Sequence, residues 1–274
     1  MYFKYISSGI SRLFGRFASK AHNKRIQRFI NGVYVKALRI DMGEFEAPRA
    51  YPTLNALFTR ALKAPRNMPD DQNAVISPCD SLITQAGAIE NNTLFQIKGM
   101  PYSLCELLPY ISKENLTPFE GGYYANFYLS PRDYHRYHAP IALKLTTLTH
   151  IPGKLFPVNM PFLRHKVNLF CGNERAILEG IDINDKRWIL VFVGALNVGK
   201  MRFAFKESFQ TNINAMVIKE FNIDLSVKRG DLLGWFEMGS TVVSISQKGA
   251  AQFTIESNRK IRFGDSIGKL EKKL

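Results

Sequence analysis

The spacing of hydrophobic positions changes once along the chain, near Val75. Before that point apolar residues recur every three or four positions, the period of a helix with one buried face. On a helical wheel of residues 2–20, Phe3, Ile6, Ile10, Leu13, Phe14 and Phe17 share one stripe, with Lys4, Arg12, Arg16 and Lys20 off it. A second stripe follows in Ile26, Phe29, Ile30, Val33 and Ala37, bordered by Lys24, Arg25, Arg28 and Lys36. Leu54, Leu57, Phe58 and Leu62 predict a third helix within Tyr51–Leu62, and the polar, Pro-containing stretch Ala64–Gln72 reads as a loop. From Val75 onward the pattern is one of short runs punctuated by turn residues. It predicts strands at Ser81–Ala86, Thr93–Ile97, Gly122–Leu129, Leu143–His150, Ala176–Ile181, Trp188–Val193, Asn214–Ile218, Ser240–Ser246 and Ala251–Ile255, with a helix at Ser103–Leu108. The fold class is therefore α+β: an amphipathic helical N-terminus followed by a mostly antiparallel β body. No Gly-rich loop joins a strand to a helix, which excludes the common nucleotide-binding folds.

Charge sharpens this division. The chain of 274 residues carries a net charge of +14, and residues 1–40 hold nine Lys and Arg with no Asp or Glu. A basic helix with an aromatic stripe suits an anionic bilayer surface, where the stripe enters the headgroup boundary and the cations meet phosphate. Packing of both helices on the body is the alternative. Nucleic acid is not an expected partner, because no zinc-finger, RNP or helix-turn-helix signature accompanies the charge. The longest near-apolar run, Trp188–Leu196, falls short of the ~20 residues a spanning helix needs. Three cysteines without CxxC spacing argue against a disulfide framework and a structural zinc site.

Three segments can carry chemistry. Gly239-Ser240-Thr241-Val242-Val243 sets a serine at the start of a β-branched run. Ser130-Pro131-Arg132-Asp133-Tyr134-His135-Arg136-Tyr137-His138-Ala139-Pro140 contains two of the five histidines. It lacks a third metal ligand, so no metal is expected, but imidazole titrates near neutrality and suits a general base. Ser77-Pro78-Cys79-Asp80 puts a carboxylate at the entry to an apolar strand. Asp, His and Ser in that order could form a hydrolase-like relay, although the Gly-x-Ser-x-Gly elbow of α/β-hydrolases is missing. Two look-alike stretches, Arg229-Gly230-Asp231 and Phe263-Gly264-Asp265 with their flanks, read as simple turns between strands.

In family order, these segments resemble phosphatidylserine decarboxylase, the pyruvoyl-dependent proenzyme of bacteria and mitochondria. The resemblance runs from about Phe58 to Gly268. It rests on Phe58-Thr59-Arg60, Ser77-Pro78-x-Asp80, Lys98-Gly99, Tyr102-Ser103-Leu104, the Ser130–Pro140 segment and Asn173-Glu174-Arg175. It continues through Val193-Gly194-Ala195, Val198-Gly199, Gly234-x-Phe236 and Gly239-Ser240-Thr241. Met238, where Leu is common, and Ser81, where Gly is usual, depart from the family pattern.

The resemblance implies self-cleavage between Gly239 and Ser240 into a β chain, residues 1–239, and an α chain, residues 240–274. Ser240 becomes a covalent pyruvoyl group, which decarboxylates phosphatidylserine to phosphatidylethanolamine and CO2 through a Schiff base. His138 is the implied base of the cut, Asp80 its orienting carboxylate, and His135 a group for the decarboxylation or for holding the substrate phosphate. Residues 1–45 would form the membrane-associating segment and residues 46–274 the catalytic domain. A peripheral protein on the cytoplasmic side of a bacterial inner membrane is expected, with the mitochondrial inner membrane as the alternative; a homodimer is a family expectation. A serine hydrolase using the same three residues on an external substrate, and a non-catalytic membrane-binding protein, are the competing readings.

Overall fold

A computed structural model describes residues 15–196, 200–209, 211, 217–237 and 240–271. Most of the first predicted helix therefore lies outside the described residues, as do Gly239 and the Val198-Gly199 motif. Residues 15–19 are helical.

The second predicted helix forms as Lys24–Leu38. The Asn23 side chain caps it by accepting the Arg25 N–H at 3.0 Å, and Arg39 closes it in the left-handed region. Its polarity is inverted. The residues it buries are Gln27 and Asn31. The Gln27 amide donates to Asn31 at 2.8 Å, and Asn31 donates to the carbonyls of Pro48 and Tyr51 at 2.9 and 3.0 Å. Ile26, Phe29 and Val33 of the apolar stripe face outward, with Phe29 71% exposed. The third helix is shorter than predicted, Leu54–Phe58, with Thr53 as its N-cap.

Among the described residues the body has sixteen strands: β1 (Ala74–Ile76), β2 (Ser81–Ala88), β3 (Thr93–Ile97), β4 (Met100–Ser103), β5 (Tyr123–Tyr128), β6 (Arg136–His138), β7 (Leu143–Ile151), β8 (Arg175–Ile181), β9 (Arg187–Val193), β10 (Lys200–Phe203), β11 (Lys219–Val227), β12 (Leu232–Glu237), β13 (Thr241–Ser246), β14 (Ala251–Phe253), β15 (Lys260–Ile261) and β16 (Ser266–Leu270). Eight of them form one sheet in the order β11-β7-β8-β9-β13-β5-β2-β15, and the pairings within it are antiparallel. Smaller antiparallel sheets, β10-β12-β6 and β1-β16-β14, and the β3-β4 hairpin complete the body. Of the predicted strand Asn214–Ile218, residues 214–216 lie outside the described residues; Val217 and Ile218 are not in a strand, and β11 begins at Lys219. β11 is an edge strand whose exposed charged residues guard an unpaired margin, and its mixed pattern hides the alternation of Phe221 and Ile223.

β13 lies near the middle of the large sheet. It pairs with β5 on one side and β9 on the other, and all six of its residues are buried. The sheet β10-β12-β6 packs on β9 through aromatic rings: Tyr137 lies 4.2 Å from Phe192 and 5.0 Å from Phe236, and Phe192 lies 5.2 Å from Phe203. Gly234 makes this packing possible. A Cβ there would fall 1.9 Å from the Arg202 carbonyl oxygen and 2.8 Å from the Tyr137 ring. The consequence for function is that β6, with His138 in it and His135 just before it, is held beside the strand that leads toward Ser240.

Candidate active site

Ser240 immediately precedes β13. Its carbonyl accepts the Leu129 N–H at 2.8 Å, which ties it to the end of β5. The residue is 1% exposed, and its hydroxyl has no hydrogen-bond partner among the described residues.

The histidine segment leaves β5 through a tight turn. The Ser130 N–H donates to the Asp133 carboxylate at 2.7 Å, and the Asp133 N–H donates to the Ser130 carbonyl at 2.9 Å. Burial raises the Asp133 carboxyl above its ordinary range. His135 follows, fully buried against the Phe58 ring at 3.9 Å. Its Nδ1 bonds the Asp133 carbonyl at 2.8 Å; a carbonyl only accepts, so Nδ1 carries the proton. Nε2 is then the basic nitrogen, and it has no partner among the described residues. Burial, and secondarily the Arg60 charge, lower the His135 pKa to about 3, so the ring is neutral at physiological pH.

His138 has the same tautomer by a different route. Its Nδ1–H donates to the Gly230 carbonyl at 2.9 Å, and its Nε2 faces the Tyr134 hydroxyl at 3.1 Å. Phe263 stacks on the imidazole at 3.7 Å. Burial lowers its pKa to about 4, against the opposing pull of the Gly230 bond and the Asp80 charge. The register of β6 on β12 places His138 beside Leu232, whereas the His135 carbonyl accepts the Phe236 N–H at 3.0 Å. The two imidazoles thus stand toward opposite ends of β12, with His135 at the end that runs on toward residue 239.

Asp80 meets a different partner from the one expected. Its carboxylate is gripped by both terminal nitrogens of Arg66, one at 2.9 Å, and accepts the Phe263 N–H at 2.7 Å. Both ring nitrogens of His138 are engaged elsewhere, so the direct Asp80–His138 hydrogen bond is not formed. A charge-assisted bond to a guanidinium outcompetes one to a neutral imidazole. Contact between the two runs through Phe263, whose N–H holds Asp80 and whose ring covers His138. Arg66 also bonds Glu44 at 2.9 and 3.1 Å, linking this wall to the N-terminal segment.

The look-alike turns have a role that hairpin chemistry alone did not suggest. In each, the first backbone N–H is capped by the Asp carboxylate three residues on: Lys228 by Asp231 at 2.7 Å and Arg262 by Asp265 at 2.8 Å. Gly230 and Gly264 take φ of +85° and +95°, which glycine adopts without a steric cost. One turn supplies the carbonyl that orients His138 and the other supplies Phe263. Their shared pattern was the available signal; Arg66 and Tyr134 carried none of their own.

A cleft of about 610 Å³ opens beside these residues. Arg60, Arg66, Asp80, Ser81, Ser130 and Tyr134 line it, and Arg39, Glu44 and Phe45 of the N-terminal segment form its rim.

Of the four residues expected at the site, Asp80 lines this cleft, while Ser240, His135 and His138 are buried and are not among the described residues that line it; a hydroxyl, imidazoles and a carboxylate are the groups that proton transfer needs. The family model for phosphatidylserine decarboxylase matches residues 54–269. The chain is 47% identical over 265 residues to a phosphatidylserine decarboxylase proenzyme of Helicobacter pylori, covering 96% of this chain and 97% of that one. It is 44% identical over 264 residues to the proenzyme of Campylobacter jejuni, covering 94% and 97%. With that of Marinobacter nauticus the identity is 35% over 271 residues, covering 96% and 94%. The chain belongs to the phosphatidylserine decarboxylase family and is a carboxy-lyase.

Proposed function

We propose that this decarboxylase matures by cutting itself between Gly239 and Ser240 and acts at an anionic membrane surface. The observation that carries the first part is the enclosure of Ser240. A hydrolase nucleophile must reach an external substrate, yet this hydroxyl is 1% exposed and unpartnered among the described residues. The electrophile next to it in the chain is the Gly239–Ser240 peptide bond.

In the cut, Ser240 Oγ adds to the Gly239 carbonyl while a base takes its proton, and the amide nitrogen departs protonated to leave an ester. Loss of the Ser240 Cα proton then breaks the Cβ–O bond and frees residues 1–239. The remaining dehydroalanine takes up water and releases ammonia, leaving the pyruvoyl end of residues 240–274. When present, the pyruvoyl group supplies a carbonyl that draws off the electron pair left by departing CO2. His138 is assigned as base of the cut, its tautomer fixed by Gly230 and its proton affinity raised by the charge of Asp80. His135 is assigned to the decarboxylation, its unprotonated Nε2 accepting a hydrogen bond from the substrate. A second reading exchanges these roles, because His135 stands at the β12 end nearer the cut and has its Nε2 free.

Support for the membrane comes from the helix Lys24–Leu38. A helix that buries Gln27 and Asn31 and exposes Phe29, Ile26 and Val33 is built to be covered by an apolar phase. The basic residues around it suit anionic headgroups and a site on the cytoplasmic side of an inner membrane. No helix among the described residues is long and apolar enough to cross a membrane. A homodimer, as the family implies, is read by sedimentation of the same sample.

Denaturing intact-mass measurement tests the cut. Wild type should give two chains split before residue 240, the smaller one bearing a pyruvoyl end, and Ser240→Ala should give one uncut chain. His138→Ala should remain uncut and His135→Ala should be cut but inactive; the reverse assigns the exchanged roles. A wild-type chain that decarboxylates phosphatidylserine while intact would refute self-processing.

A further inference from the structure

Arg60 presents an imbalance that the reaction as described does not use. Its side chain is 2% exposed, yet it lines the cleft. One terminal nitrogen, Nη2, donates to the carbonyls of Arg132 and Asp133 at 2.8 and 3.0 Å and so shapes the turn before His135. That architectural task needs only Nη2. Nε and Nη1 are buried without an acceptor among the described residues. A buried cation with unmet donors is unstable unless something else supplies the acceptors. The Phe45 ring, 4.5 Å from the guanidinium carbon, offsets part of the charge but accepts no conventional hydrogen bond.

The neighbouring charges sharpen the point. Arg66 is committed to Asp80 and Glu44, and Arg262 to Glu44. No carboxylate ion pair reaches Arg60 among the described residues. The hydroxyl-bearing residues Ser81 and Ser130 line the same cleft. The Asp133 carbonyl accepts from both Arg60 and His135, so the guanidinium and the imidazole meet on one atom.

We propose that Arg60 anchors a phosphate-group subsite in this cleft, with Ser81 and Ser130 on its wall, which takes the phosphodiester of a glycerophospholipid headgroup. As to substrate, this rests on the proposed function. In a phosphoserine lipid only the short serine arm separates the amine from the phosphorus. A phosphate receptor near the reacting groups is therefore required, and Arg60, which shares the Asp133 carbonyl with His135, is the buried donor on the cleft wall. A guanidinium suits the role because it stays charged when buried and offers donors in fixed directions.

The test is calorimetric titration of the purified full-length chain at constant ionic strength. One arm uses inorganic phosphate and the other short-chain phosphatidylethanolamine below its micelle concentration. Saturable binding of the lipid, lost by about tenfold or more in Arg60→Gln and partly restored in Arg60→Lys, is the expected result. Phosphate competing with the lipid identifies the shared group, while phosphate binding without lipid binding assigns the subsite to the free anion and overturns the headgroup assignment. Absence of saturable binding in both arms, or unchanged affinity in Arg60→Gln, overturns the subsite. Should Arg60→Gln fail to fold, the double variant Ser81→Ala/Ser130→Ala carries the test: weaker lipid binding supports the subsite and unchanged binding overturns it. Because neither probe is turned over, a chain that binds them but fails to decarboxylate phosphatidylserine refutes the proposed function and leaves the subsite standing.

Discussion

Acid should weaken the fold through His135 and His138, by an amount their burial sets. In the unfolded chain each imidazole titrates near 6.5. In the folded protein burial holds His135 at about 3 and His138 at about 4. Between these limits the unfolded chain binds two protons that the native state refuses, so stability falls as pH falls. Above 6.5 both states are neutral at these sites and the effect vanishes. Between pH 7 and pH 5 each histidine costs about 2 kcal/mol, and the pair about 4 kcal/mol. That is a large share of the ~5–15 kcal/mol typical of a folded domain. The assay is urea unfolding at both pH values on the Ser240→Ala chain, which keeps one covalent chain throughout. Carboxylates add a background common to all variants, so the informative quantity is the difference between variants. His138→Gln should lose about 2 kcal/mol less than its parent over this pH step. An equal loss in both would refute the claim that His138 is held neutral by burial.

Two further outcomes follow from the site and the helix. Arg66→Ala leaves Asp80 partly buried beside only the Phe263 N–H, and should destabilise the chain by about 3 kcal/mol, read as a lower urea midpoint at pH 7. Phe29→Asp with Val33→Asp should lower binding to anionic vesicles by about tenfold or more without changing the urea midpoint, because both side chains already face outward.

Where a segment had one dominant physical signal, the sequence was readable. Trp188–Val193 and the run after Ser240 are strands covered on both faces, and such strands appear as unbroken apolar runs. β6 and β10 went unseen because each is short and owes its strand form to β12 rather than to its own residues. β11 was missed because an edge strand mixes charge into its alternation. In the site, Asp80, His135, His138 and Ser240 were legible because the chemistry needs those residue types. Their partners were not: Arg66, Tyr134, Gly230 and Phe263 reach the site through folding, from loops far apart in the chain. The Asp80–His138 pairing was drawn from the family resemblance, which does not reveal that an arginine 14 residues earlier binds the carboxylate first. The outward face of Lys24–Leu38 was one of two readings left open, since a hydrophobic stripe predicts a helix but not which side meets the protein.

β13 sits between two neighbours within the large sheet, and this gives the proposed cut an order in time. The register that buries Ser240 exists only once β5, β9 and β13 have assembled, so folding must precede scission. Afterward the small fragment remains threaded through the sheet by backbone hydrogen bonds on both sides, and one broken peptide bond does not release it. Yet the two pieces no longer share a covalent path. Once separated by denaturant they must find each other by diffusion, and the smaller piece no longer carries the residues that guided its strand into place. The mature protein is then preserved by the slowness of its unfolding, and recovery after denaturation should depend on protein concentration, whereas the uncut precursor should refold at a rate independent of it.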